Sequence, residues 1–499
     1  MDIVIFDRVA ASSAAWGWLF PTIPKAYGFE AATQSALTIF DLRFEIERNT
    51  PMKTNKRQNE RQNGRISRRD FMGAAAATAA FTIVPRHVLG GRGQTAPSDK
   101  LNIAGIGVGG KGSGDLRNLE SQNIMALCDV DWRRAARSFT RYPNAKKYKD
   151  FRIMLDKEDK NIDAVLVATP DHIHAVGSMA AIKRSKHVYC EKPLTHSVYE
   201  ARVLAKAARE HKVATQMGIQ RHAEEGMRLL VEIIKSGMIG KVRKVDIFSN
   251  KNWGGGTRPE ETPPVPEGLD WDLWLGPAPY RPYHRTYLPG NWRRWWDFGT
   301  GTLGDMGCHI IDPAFWALDL KYPISVEAHP SKFNNETYPQ KTIVKWEFPA
   351  RGELPPLTLT WYDGANSPPR PKELEAERNL PGQGGLYYGD KGVILFPHGG
   401  GPRLIPDSKM RGFKVPEPFL PRGVNYTEHF QEWIRACKGG PKPLANFDYS
   451  GPLSETIVLG NVAARAGRKL YWDGPNFKIT NAPEANKYLR REYREGWTL

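Results

Sequence analysis

The order of short apolar runs between Leu101 and Gly218 constrains this chain more than any other feature. "LNIAGIG", "NIMALCD", "AVLVAT" (Ala164–Thr169), "HVYC" (His187–Cys190) and "VATQMG" (Val213–Gly218) are apolar almost without interruption. Between the later ones lie stretches that read as helices, from about Asp171 to Arg184 and from about Ser197 to His211. A strand that is apolar throughout is buried on both faces, and intervening helices supply the two covers. The pattern predicts an α/β domain with a doubly wound parallel sheet over residues 99–222.

The first run ends in glycines. Gly105, Gly107 and Gly110 form G-x-G-x-x-G, with Gly109 and Gly112 added. Such glycines permit a tight turn and bring backbone N–H groups close to a pyrophosphate, which marks a Rossmann sheet. A P-loop is excluded, because Gly112 stands where the magnesium-binding hydroxyl is required. The second run ends in Asp129. A carboxylate there can bind the adenosine ribose hydroxyls and would repel a 2′-phosphate, favouring NAD over NADP. Arg133 and Arg134 follow closely and keep NADP open.

Ligands of such sheets sit at the C-terminal ends of the strands. "ATPDHIH" (Ala168–His174) ends one strand and "CEKP" (Cys190–Pro193) the next. Pro193 disfavours helical backbone at Lys192. The ammonium is then expected to face the crevice, where it can act on a hydroxyl proton. Further on, "GTGTLGDMGCHIID" (Gly299–Asp312) sets Asp305 and His309 four apart, on one face of a helix, with Asp312 on much the same side. His172 and His174 have a spacing that could suit a metal, but no metal is expected.

These elements, in this order, resemble the Gfo/Idh/MocA family (glucose–fructose oxidoreductase and inositol dehydrogenase relatives) over residues 101 to 470. The resemblance implies a second, α+β domain with a large open, mostly antiparallel sheet. It implies cofactor contacts from Gly105, Gly107, Gly109, Gly110 and Asp129, and from Thr169, Pro170, His174, Glu191, Lys192 and Pro193. It also implies catalysis by Lys192, His309 and Asp305, with Asp305 and His309 touching substrate. "NWRRWWDF" adds Trp292, Arg293, Trp295 and Trp296 as sugar-pocket candidates, since indoles stack on sugars and arginines donate to hydroxyls. "NWGGGTRP" (Asn252–Pro259) is expected at the same mouth. "TIVKWEF" (Thr342–Phe348) and "LTLTWYD" (Leu357–Asp363) alternate like strands half-buried in the open sheet.

The expected activity is NAD(P)-dependent oxidation of a secondary hydroxyl on a sugar, glycoside or polyol, with tightly held cofactor. The alternative is a glycoside hydrolase that recycles NAD through oxidation, elimination, addition and reduction. A non-catalytic sugar-binding protein is disfavoured by the intact Lys192, Asp305 and His309.

The formal net charge is +17, but no basic, aromatic-studded stripe or reader motif accompanies it, so nucleic acid is not an expected partner. Cys128, Cys190, Cys308 and Cys437 form no C-x-x-C pair and read as free thiols. "SRRDFM" (Ser67–Met72) and the following apolar run resemble a twin-arginine (Tat) export signal, the run being too short to span a bilayer. The expected layout is an extension over 1–51, with translation starting at Met52, and a leader over 52–98. The nucleotide domain follows over 99–222, a substrate and oligomerisation domain over 223–475, and a tail over 476–499. The expectation is a periplasmic homo-oligomer.

Overall fold

The computed structural model describes residues 99–422 and 425–499. The extension, the Met52 start and the export motif lie outside the described residues.

Six parallel strands build the first sheet: β1 (Asn102–Ile106), β2 (Asn123–Cys128), β3 (Lys146–Tyr148), β4 (Ala164–Val167), β5 (His187–Glu191) and β6 (Thr215–Gly218). Their order is β3-β2-β1-β4-β5-β6. Helices α1 (Gly110–Asn118), α2 (Trp132–Arg141), α3 (Phe151–Lys157), α4 (Asp171–Ile182) and α5 (Val198–Glu210) cover it. This is the Rossmann arrangement read from the apolar runs, and the order reverses between β1 and β4, which opens a crevice there. Every residue of β4 is buried, whereas β3, at the edge, exposes Lys146 and Lys147. Charged side chains on an edge strand hinder pairing with another chain. The helix after the Glu-Lys-Pro turn starts on a reciprocal cap. Ser197 Oγ accepts from the Glu200 N–H, and Glu200 Oε2 accepts from the Ser197 N–H at 2.8 Å.

After α6 (Glu225–Lys235) the chain enters a nine-stranded sheet. Its strands are β7 (Val242–Ser249), β8 (Ser325–Pro330), β9 (Thr342–Phe348), β10 (Leu357–Asp363), β11 (Gln383–Gly389), β12 (Gly392–Pro397), β13 (Arg403–Ile405), β14 (Leu470–Asp473) and β15 (Lys478–Ile479). Only β7 and β10 pair in parallel. β9 alternates fully and half-buried residues along its length, as its sequence predicts. Between β7 and β8 lie α7 (Trp271–Leu275), α8 (Gly301–Ile310) and α9 (Asp312–Ala317).

Two later helices tie the halves together. α10 (Tyr426–Cys437) packs on the Rossmann sheet. Its Phe430 stacks on Tyr189 with centroids 4.8 Å apart, and Phe430, Trp433 and Ile434 are buried with Leu101 and Ile103. α11 (Phe447–Ala466) reaches both sides: Arg202 of α5 pairs with Glu455, and Trp346 of β9 donates to the Thr456 carbonyl at 3.0 Å. Residues 491–499 also fold back onto the Rossmann half, where Trp497 packs against Phe151. Among the described residues no helix is long and apolar enough to cross a membrane.

Candidate active site

A cavity of about 510 Å³ opens at the C-terminal ends of β1, β2, β4 and β5. Its floor is the glycine loop. Gly107 has φ +78°, and a Cβ there would lie 2.8 Å from the Ala168 carbonyl oxygen and from Thr169 Cγ2. At Gly112 a Cβ would lie 1.9 Å from the Gly107 oxygen. Only glycine lets α1 approach the loop this closely. Gly109 and Gly110 also line the cavity, whereas Gly105 lies beneath it against Val108 and Leu116.

Asp129 stands at the end of β2 in the cavity wall. Its carboxylate accepts from the N–H groups of Val108, Gly109 and Asp131 at 2.9, 3.0 and 2.9 Å. Burial raises its pKa, and these N–H donors oppose the rise. Arg133 is held on Asp131, while Arg134 lines the cavity beside Gly110. Thr169 and Pro170 form the facing wall, and Thr169 Oγ1 is buried without a partner. A glycine cradle, an acidic residue at the second strand and an unsatisfied hydroxyl together suit a dinucleotide.

The sequence placed Glu191, Pro193 and His174 at the cofactor, and the structure separates them. Glu191 lines the cavity and is bound by Lys111 at 2.9 Å and Gln220 at 2.6 Å. Pro193 and His174 lie behind the wall: His174 Nδ1 is 2.7 Å from the Pro193 carbonyl and Nε2 is 2.8 Å from that of Thr169. The balance of its surroundings favours the cationic ring. Burial opposes that charge, but Cys190, Asp171 and the Pro193 carbonyl push the pKa up to about 10. His174 therefore braces the loop that presents Lys192. His172 likewise spends both nitrogens on the Phe298 and Trp274 carbonyls, leaving none for a metal.

Lys192 reaches across the crevice to α8. Its Nζ donates to Asp305 Oδ1 at 2.6 Å and to the Asp305 carbonyl at 2.8 Å. Arg293 Nε donates to the same Oδ1 at 2.7 Å, and the Trp253 indole N–H donates to Oδ2 at 2.9 Å. Burial alone would raise the Asp305 carboxyl, but Lys192 and Arg293 outweigh it and hold it well below the usual carboxylate range. α8 is docked by a contact the sequence did not reveal: Thr300, just before it, donates to buried Asp171 of α4 at 2.6 Å.

Of the tryptophan-rich stretch, Trp292 and Arg293 line the cavity, with the guanidinium 4.3 Å from the Trp292 ring centroid. Trp295 and Trp296 do not. Trp295 is buried against Tyr287, and Trp296 packs 3.6 Å from Tyr338. A short 3₁₀ turn over Asn291–Arg294 turns them to the inner side. His309 is absent from the cavity wall. Its ring is 5.9 Å from that of His398, and its Nδ1 is buried without a partner. Burial, then Lys192 and His398, hold this imidazole well below its ordinary pKa, so it is neutral. Asp312 does not join Asp305: α8 ends at Ile310, and Asp312 instead binds His222 and Tyr449. Sequence reasoning missed His398 and Trp497, which belong to no spaced motif and reach the site only through contacts distant in sequence; it also missed the pairing of Lys111, in the glycine loop, with Glu191.

Residues 101–219 match the family model described as the oxidoreductase family's NAD-binding Rossmann fold. Residues 224–348 match that family's C-terminal alpha/beta domain. The fold and the cradle thus place the chain in a class: two-domain, NAD-binding proteins of the oxidoreductase type. Both matches are to models of the Gfo/Idh/MocA family, over residues 101–219 and 224–348. It is 31% identical to inositol 2-dehydrogenase of Salmonella typhimurium over 171 residues, 33% of this chain and 49% of the relative. It is 26% identical to levoglucosan dehydrogenase of Pseudarthrobacter phenanthrenivorans over 180 residues, 36% of this chain and 38% of the relative. The chain thus spans half or less of the length of these curated relatives. Among solved structures, it resembles the WlbA dehydrogenase of Bordetella pertussis in complex with NADH and UDP-GlcNAcA. The TM-score is 0.53 at 16% identity, covering 75% of this chain and 99% of that one. Aldose-aldose oxidoreductase of Caulobacter crescentus gives 0.51 at 17%, covering 75% and 100%. These likenesses show the fold.

Proposed function

We propose that this chain oxidises a secondary hydroxyl of a sugar, glycoside or polyol, with tightly held NAD. The observation that carries this reading is the Lys192–Asp305 pair, 2.6 Å apart at the wall of the nucleotide cavity. NAD, when bound, supplies a hydride acceptor. The chain must manage the hydroxyl proton and hold the ring. Lys192 is placed to bind the hydroxyl oxygen through Nζ, and in its neutral amine form it accepts the hydroxyl proton and becomes the ammonium. Asp305 fixes Nζ and balances its charge. Arg293, backed by the face of Trp292, offers N–H donors to neighbouring oxygens. His309 and His398 pack on each other 5.9 Å apart, outside the cavity wall, and burial with nearby positive charge holds both neutral. The names of the inositol and levoglucosan dehydrogenases support the same substrate class.

The test uses purified protein with NAD and with NADP against cyclic polyols, free pyranoses and methyl glycosides. NADH absorbance is followed together with product mass. A keto product two hydrogens lighter supports the reading. Free sugar and methanol without net NADH would replace it with the recycling hydrolase, and no turnover across the panel would remove it.

The proposal extends to the cell. Ser67–Met72 and the apolar run behind them support export through the Tat system, which carries folded proteins and hence a bound cofactor, to the periplasm. A reporter fused after residue 98 should lose export when Arg68 and Arg69 become lysines. The protein is proposed to act there as a homo-oligomer, which light scattering would measure.

A further inference from the structure

We infer that Trp497 is a cofactor-binding residue and that the segment 490–499 straps the nucleotide cavity; this rests on the NAD-dependent reading above. Trp497 is part of the cavity wall although more than 300 residues separate it from the glycine loop, Asp129 and Thr169. Its indole packs on Phe151 at 5.9 Å between centroids, and the Arg152 guanidinium lies 4.3 Å over the same ring. Phe151 opens α3 just after β3, and Asp129 ends the neighbouring β2. Lys192, by contrast, follows β5, across β1 and β4. Trp497 therefore closes the Asp129 side, remote from Lys192. Ile173 and Leu273 add aliphatic wall there. A flat indole with aliphatic neighbours, next to a carboxylate suited to ribose hydroxyls, recognises a purine base.

The strap is anchored on both domains. Arg494 donates through its backbone N–H to the Pro277 carbonyl at 3.1 Å and through Nε to that of Gly276 at 3.1 Å. Arg491 donates to the His172 carbonyl at 2.8 Å and pairs with Glu200, which also accepts from Tyr493 OH at 2.6 Å. Lys183 holds the Leu499 carbonyl oxygen at 2.9 Å. Release of a nucleotide past this wall requires those anchors to loosen. The strap thus gives a physical basis for a cofactor that travels with the protein.

The test compares wild type, Trp497→Ala and Arg494→Ala, purified as full chains without added nucleotide. Bound NAD(H) is quantified after denaturation. The dissociation constant and off-rate are then measured by titration and by dilution into a trap. A lost base-stacking contact weakens binding by roughly tenfold to a hundredfold. Both variants are expected to show that weakening with a faster off-rate, and Trp497→Phe should recover most of it. Arg494 lies outside the cavity wall, so a merely structural role would lower its thermal midpoint without changing NAD release. Variants that bind and release NAD as wild type does overturn the strap while leaving the NAD reading intact. A wild type that binds no NAD overturns both. Should Trp497→Ala not fold, Arg494→Ala and Trp497→Phe decide the matter by the same off-rates.

Discussion

Asp305→Asn removes one charge and almost no volume from the centre of the site. In the native protein Oδ1 takes the Lys192 ammonium at 2.6 Å and Arg293 at 2.7 Å, and Oδ2 takes the Trp253 N–H at 2.9 Å. An amide oxygen can still accept from one cation, but without charge assistance. The difference between charged and neutral hydrogen bonds is about 1–1.5 kcal/mol each, so about 2–3 kcal/mol for two. The amide NH₂ then meets the donor Trp253, and an orphaned buried N–H costs about 1–3 kcal/mol more. The expected loss is about 3–6 kcal/mol, overlapping the range of about 3–5 kcal/mol for removing one partner of a buried ion pair. The sign of the pH dependence follows from the depressed Asp305 pKa. Its contribution is complete above the ordinary value of 3.8 and disappears as pH falls through the lower folded value. Urea unfolding of nucleotide-free wild type and variant should therefore give a constant gap from neutral pH to about pH 5, narrowing only below about pH 4. A gap under about 1 kcal/mol at neutral pH would refute the reasoning. So would a gap that closes already between pH 7 and pH 5.

Four further outcomes are expected. Lys192→Met should cut turnover by about 10²–10⁴-fold while calorimetry shows NAD binding little changed. Gly107→Ala forces a Cβ against the Ala168 carbonyl at φ +78°, so NAD affinity should fall about fivefold to thirtyfold if roughly 1–2 kcal/mol of backbone strain opposes the binding geometry, read by titration. Asp129→Asn should lower the ratio of NAD to NADP affinity, since the charge that repels a 2′-phosphate is gone and Arg134 remains in the wall. Burial holds His172 and His429 at about 3, neutral in the fold, so their unfolded forms bind more protons between about pH 3 and pH 6.5 and stability falls as pH drops through that window. Replacing His429 with Gln should flatten the acid limb of the unfolding curve by up to about 1.4 kcal/mol per pH unit.

Much of the site was legible before any coordinates. Uninterrupted apolar runs specify strands buried on both faces, and G-x-G-x-x-G followed by Asp129 specifies a loop and its acidic neighbour. The four-residue spacing of Asp305 and His309 specifies a shared helix. Each signal is local, because backbone period and steric limits act over a few residues. Lys192 was legible too, since Pro193 and the strand end confine where its side chain can go.

Spacing could not say which faces meet. The indoles of Trp292, Trp295 and Trp296 are alike in sequence, but one lines the cavity and two fill the core. His309 shares a helix with Asp305, but the docking of Thr300 on Asp171 sets which side of that helix the cavity sees. The partners His398 and Trp497 come from segments far from the motifs, and the loop expected at the mouth did not reveal that its Trp253 would bind Asp305. By itself the sequence determined the main elements, the nucleotide cradle and the lysine at the crevice, all governed by short-range periodicity and backbone sterics. Only the tertiary structure decided the partners, because apolar surface drives burial without regard to direction, and the choice among buried surfaces belongs to shape and hydrogen-bond complementarity across the whole chain.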